Sequence, residues 1–158
     1  MKRFEVTFSL RRTAGAGGTE RVQFFFNATN YDDFDKIRIT HSDTKTGPTC
    51  SQVQEGSGDQ NVTATTTDAN MPTLTSTSVL WSRIENTGTT VTVKCLAGSS
   101  APSDTDWSGA SVCFTSSNFS NTGGMIGFNP NLGTVQVDDV TVKADRGRRG
   151  SGIELRNP

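Results

Sequence analysis

Val79–Cys95, VLWSRIENTGTTVTVKC, is the stretch whose reading decides the fold. Val79–Asn86 and Val91–Cys95 flank Thr87-Gly88-Thr89, and Val91, Val93 and Cys95 alternate with Thr92 and Lys94. A period of two sends successive side chains to opposite faces of a strand, and a short glycine-containing connector between two such runs signals a hairpin. An antiparallel pair with one buried face is expected here.

The same grammar extends in both directions. Upstream, Phe4, Val6, Phe8 and Leu10 alternate with Glu5, Thr7 and Ser9, and TAGAGG at residues 13–18 turns the chain. In a second strand Val22, Phe24, Phe26 and Ala28 share one parity, leaving Phe25 outward as the possible floor of a groove. After the acidic loop Tyr31–Asp35, Ile37 and Ile39 mark a third strand. Residues 42–61 read as loop with at most one short strand around Cys50–Gln54, and the threonine-rich run Val62–Ser78 holds an edge strand and a turn at Met71-Pro72. Downstream, a polar loop through Pro102 to Trp107 precedes strands at ASVCFT, at GGMIGF and from Thr134. In the last of these, Val135 and Val137 have one parity and Val140 and Val142 the other; a bulge at Asp138-Asp139 would return both pairs to the core.

About nine or ten short strands without an amphipathic helix give an all-β fold, an antiparallel β-sandwich, most simply a jelly roll, over residues 1–144. Residues 145–158, with RGRRG followed by SGIELRNP, form a tail outside the pattern that can dock as a strand. Composition agrees: 24 Thr, 16 Ser and 16 Gly, with hydrophobic residues at 32%, suit thin sheets with many turns. At 158 residues one core is expected.

A net charge of −1 is no footprint for nucleic acid, and Arg146, Arg148 and Arg149 among glycines read as a solvated linker. No apolar run is long enough for a membrane span, and MKRFEVTFSL alternates rather than forming a signal sequence. Cys50, Cys95 and Cys113 lack zinc-ligand spacing; one disulfide with a leftover thiol and three reduced thiols both fit. His41 is the only histidine, which removes most metal and triad chemistry.

Three segments, FFFNATNYDDFDKIRI, LWSRIENTGTTVTVKCLAG and TGGMIGFNPNLGTVQVDDVTV, carry a likeness spanning Phe24 to Val142. Their order resembles the concanavalin A-like, laminin-G-like jelly-roll domains of bacterial surface proteins, carbohydrate-binding modules and Rhs/YD-repeat proteins. The resemblance implies a non-catalytic extracellular or cell-surface module, carbohydrate-binding or adhesive. Such domains open with a further strand before the one at Phe4. Here that strand is missing, or is supplied by the tail or by a neighbouring molecule.

Sugars are held by aromatic faces beside carboxylates and amides, so Tyr31 with Asp32 and Asp33, and Trp107 with Asp104 and Asp106, are the candidate carbohydrate sites. The alternative is that Trp81 and Trp107 close the ends of the sandwich. The resemblance also suggests a structural calcium ion at Asp138 or Asp139, against the simpler reading of carboxylates capping a bulge. Asn27, Asn61 and Asn118 begin N-glycosylation sequons. A glycosidase needs two facing carboxylates, and the acidic catalytic strand of laminarinase-like members is absent. The rival to the binding module is a structural subunit of a fibre or shell, assembled by strand or tail exchange through Ile153, Glu154 and Leu155.

Overall fold

The computed structural model describes residues 3–12, 20–29, 34–41, 50–56, 59–65, 70, 72, 75, 77–117, 124–132 and 135–144. Along the chain lie β1 (Phe4–Arg12), β2 (Glu20–Ala28), β3 (Phe34–His41), β4 (Cys50–Gly56), β5 (Asp59–Thr65), β6 (Leu80–Asn86) and β7 (Val91–Ala97). A short helix α1 (Asp104–Gly109) and strands β8 (Val112–Ser116), β9 (Met125–Leu132) and β10 (Val135–Ala144) follow.

The hairpin forms as its alternation requires. β6 and β7 pair from Leu80↔Ala97 to Asn86↔Val91, the Thr87 N–H donates to the Thr90 carbonyl at 2.9 Å, and Gly88 turns with φ 96°. That backbone angle is cheap only for glycine. Around this pair the strands order as β10-β1-β6-β7-β8, and a second five-stranded sheet runs β5-β4-β3-β2-β9. Every pairing between neighbours is antiparallel.

The inward parities of the two sheets meet in one core. Val6, Phe8, Leu10, Leu80, Ile84, Val91 and Val93 of one sheet join Val22, Phe24, Phe26, Ile37 and Ile39 of the other. Aromatic contacts cross the gap edge-on, Phe4 to Phe24 and to Phe26 at 5.7 Å and Phe8 to Phe128 at 4.9 Å. The molecule is therefore all-β, two antiparallel sheets packed as a sandwich.

Two expectations change, at residues 42–61 and at the polar loop that ends in Trp107. The short strand expected around Cys50–Gln54 is present as β4, but residues 42–61 also hold the start of β5, which pairs with it as a hairpin and has no apolar parity to announce it. The turn at Met71-Pro72 lies mostly outside the described residues. β1 lies inside its sheet, with β10 pairing on one side of it and β6 on the other. The helix α1 replaces part of the polar loop before Trp107.

The bulge on β10 is present, one step later than the parity suggests. Thr7 faces Thr141 and Ser9 faces Asp138, so Asp139 and Val140 together oppose Phe8, with Asp139 at φ 53°. Asp is among the residues that tolerate this left-handed region. Val135, Val137 and Val142 pack on the core as expected, but Val140 is part of the bulge itself and is 43% exposed.

Phe25 is not the open floor of a groove. It pairs across the sheet with Gly127 and its ring lies where a Cβ on that residue would stand, with Cε1 2.7 Å away; Phe34 packs beside it at 5.9 Å. An aromatic covering a cross-strand glycine restores the packing that the glycine lacks. Gly127→Ala is expected to displace this ring and cost about 1–2 kcal/mol, read as a fall in thermal midpoint. In the Phe25→Leu background the penalty should shrink; an equal penalty there would assign the cost to the backbone instead.

Candidate functional site

Outward positions on the first sheet are Glu5, Thr7 and Ser9 of β1, Trp81, Arg83 and Glu85 of β6, and Lys94 of β7, all opposite in parity to the core set. A solvated face would be the default for an antiparallel sheet. Here the segment between β7 and β8 folds back across it. Trp81 Nε1 donates to the Gly98 carbonyl at 3.2 Å and Lys94 Nζ donates to the Trp107 carbonyl at 2.9 Å. The Arg83 guanidinium lies 5.4 Å from the centre of the Trp107 ring.

Helix α1 begins where the local sequence dictates. Ser103 caps it, its Oγ accepting from the Asp106 N–H, while the Asp106 carboxylate accepts from the Ser103 N–H and hydroxyl, both at 2.7 Å. This reciprocal capping satisfies amides that the first turn would otherwise strand. The Ser103 hydroxyl and then its N–H hold the Asp106 carboxyl below the usual carboxylate range.

Between this segment and β10 lies an open groove of about 390 Å³. β1 and β6 contribute Thr7, Trp81 and Arg83; the helix segment contributes Pro102, Asp104 and Trp107; the bulged strand contributes Asp139, Val140, Thr141 and Lys143. Arg83 is the hub of its charges. Its Nη2 meets Glu5 at 2.8 Å and Asp104 at 3.5 Å, and Lys143 meets the same Glu5 oxygen at 3.0 Å. Burial pushes the Glu5 carboxyl up, but hydrogen bonds from Arg83 and Lys143 outweigh it and hold the group below its ordinary value.

The structure places the candidates from sequence unequally. Trp107 is 3% exposed with Arg83 over its ring, so it anchors the groove wall and offers no open face for stacking. Asp104 reaches solvent with its side chain 90% exposed, while Asp106 serves the helix cap. Trp81 is buried beneath the folded-back segment. Tyr31, Asp32 and Asp33 lie outside the described residues, as do Asn118 and the tail with Ile153, Glu154 and Leu155; Asn61 sits on β5.

Asn27 is buried, and its Nδ2 donates to Asp35 Oδ2 at 2.9 Å. A glycan on that nitrogen has no room in this fold. Asp139 accepts from Ser9 Oγ at 3.0 Å, and Asp138 accepts from the Asp139 N–H at 2.9 Å. Calcium takes six to eight oxygens. Among the described residues there is no group of three acidic, Cys or His side chains that could hold a metal, and these two carboxylates hydrogen-bond at the bulge.

Sequence reasoning missed Thr7, Arg83, Thr141 and Lys143. The available signal was their outward parity in strands already recognised, but only the strand order puts β10 beside β1 and opposite the helix. No helix among the described residues is long and apolar enough to cross a membrane. No protein-family model, curated protein or solved structure matches the chain.

Proposed function

We propose that the chain is a non-catalytic module of an extracellular or cell-surface protein, a jelly-roll sandwich of the concanavalin A-like kind, and that it binds carbohydrate in the groove between α1 and β10. The observation that carries this reading is the groove itself. Its size falls in the range of small-ligand sites, and hydroxyls, carboxylates and an ammonium converge on it beside apolar surface from Pro102 and Val140. Saccharides present hydroxyls that both donate and accept, which suits a lining of mixed sign better than a field of one sign does.

Two features favour binding over hydrolysis. Asp104 stands in open solvent beside a guanidinium, and Asp139 is tied to Ser9. Neither has the apolar surroundings that equip a carboxyl as a general acid. The rival reading, a structural subunit of a fibre or shell assembled through the tail, differs from this one in expecting a large assembly.

A glycan array followed by calorimetric titration of the bound sugars tests the proposal. Asp104→Ala and Lys143→Ala should each weaken binding about tenfold or more, the loss expected for a hydrogen bond to a charged group, while Tyr31→Ala leaves it unchanged. Absence of any bound glycan, or a loss confined to Tyr31→Ala, would overturn it. Light scattering with and without residues 145–158 should give the same monomeric mass; a large assembly that needs the tail would instead establish the structural reading.

A further inference from the structure

A row of small polar and sulfur groups crosses the core face of the first sheet. Ser82 faces Phe8 on one side and Cys95 on the other, with Ser82 Oγ and Cys95 Sγ hydrogen-bonded at 3.6 Å. The row continues to edge strand β8. There Phe114 faces Val93 and Val112 faces Lys94, which leaves Cys113 as the extra residue of a bulge. Bulges re-aim side chains, and this one lies on the strand next to Cys95, with Cys113 buried and its thiol donating to the Asn70 carbonyl at 3.2 Å. Both sulfurs are buried in the same core cluster and both stand as thiols.

Buried cysteines often act as small apolar side chains. Two that lie buried in one core cluster on neighbouring strands, one of them at a bulge, have a further capacity. We propose that Cys95 and Cys113 are a redox pair that closes to a disulfide when the folded chain meets a small-molecule disulfide such as oxidised glutathione, pinning edge strand β8 to β7.

The chemistry balances as two exchanges. The Cys113 thiolate attacks one glutathione sulfur, forming a mixed disulfide and expelling a glutathione thiolate. The Cys95 thiolate then attacks the Cys113 sulfur and expels the second glutathione. Two protein thiols are oxidised, one glutathione disulfide is reduced to two thiols, and the protons released by the cysteines are taken up by the departing thiolates. Cys113 is the first nucleophile because β8 is the edge strand of its sheet among the described residues, so local opening of this edge exposes it. The adjacent Cys95 thiol also holds the Cys113 thiol below its ordinary value, against burial, which raises it.

The full chain is equilibrated with oxidised glutathione, alkylated, and read by intact mass and by a non-reduced peptide map. The expected result is a loss of about 2 Da, one alkylatable thiol remaining of three, and a cross-linked peptide joining Cys95 to Cys113. Cys50→Ser should form the same link, and the oxidised chain should melt about 5–10 °C higher than the reduced one, reversibly with dithiothreitol. Three alkylatable thiols, a glutathione adduct that never resolves, or a link to Cys50 would each overturn the assignment. The wild-type chain is itself mapped, so the test stands even where a Cys113→Ala control fails to fold.

Discussion

Alanine at Phe24 lowers stability by about 3–5 kcal/mol, the largest loss expected from any single truncation in this chain. Phe24 has no exposed surface and sits on β2, between β3 and β9, where Ile37 and Phe128 flank it. Its ring stacks on Phe26 at 6.0 Å, meets Phe128 at 5.2 Å and reaches across the sandwich to Phe4 at 5.7 Å. Truncation removes the apolar burial of one ring and leaves a cavity bounded by three others, which the rigid strands on either side cannot collapse to fill. Urea unfolding followed by tryptophan fluorescence should show the midpoint fall by about 1–2 M with an unchanged slope. A loss under about 1.5 kcal/mol would mean that the two sheets do not share this cluster as their common core.

What made Phe24 legible from sequence explains what was not. β1, β2 and the β6–β7 hairpin each bury one parity of large apolar side chains, and a buried face of period two is visible in the letters. The β4–β5 hairpin carries Ser, Gln, Thr or Asn at half of its strand positions, so nothing in its sequence marks one face for burial. Its strands are held by the ladder that starts at β3 rather than by their own pattern. Helix α1 is only six residues long, too short for helical periodicity, and its one signal was the Ser103–Asp106 cap. Phe25 misled for another reason. An outward aromatic reads as a ligand surface until the strand beside it is known to place a glycine beneath the ring.

The candidate site was legible residue by residue and illegible as an assembly. Asp104, Trp107 and Asp139 stood out as types, and sequence proximity grouped Trp107 with both Asp104 and Asp106 and Asp139 with Asp138; the first of these neighbours shares the groove with Trp107. In space Asp106 turns away to cap its helix, and Asp139 joins Thr7 and Arg83 across the groove. That grouping follows from β10 pairing with β1, a contact between the two ends of the described chain that no local pattern encodes.

Removing the charge of Arg83 with little change in its bulk, as in Arg83→Met, is expected to cost about 2–3 kcal/mol, more than any exposed ion pair in the protein. The side chain is 11% exposed, covers Trp107, and answers three carboxylates, Glu5, Glu85 and Asp104. Its loss leaves Glu5 partly buried with Lys143 alone, and the penalty of a buried charge missing a partner exceeds what the pair contributes while intact. Exposure of Asp104 and Lys143 moderates the figure, because water screens those contacts. The pH dependence gives the effect its signature. The folded-state pKa of Glu5 lies below its ordinary 4.5, so this carboxylate stabilises the fold above that pH, and its contribution disappears as pH falls through the folded value. The stability gap between wild type and Arg83→Met should therefore be widest near pH 6–7, above the ordinary carboxylate value, and narrow as pH falls through the folded-state value of Glu5. Urea titrations of the two proteins across that range read it directly. A gap that stays constant as the carboxylates titrate would place the role of Arg83 in packing on Trp107, with its ion pairs contributing nothing to stability.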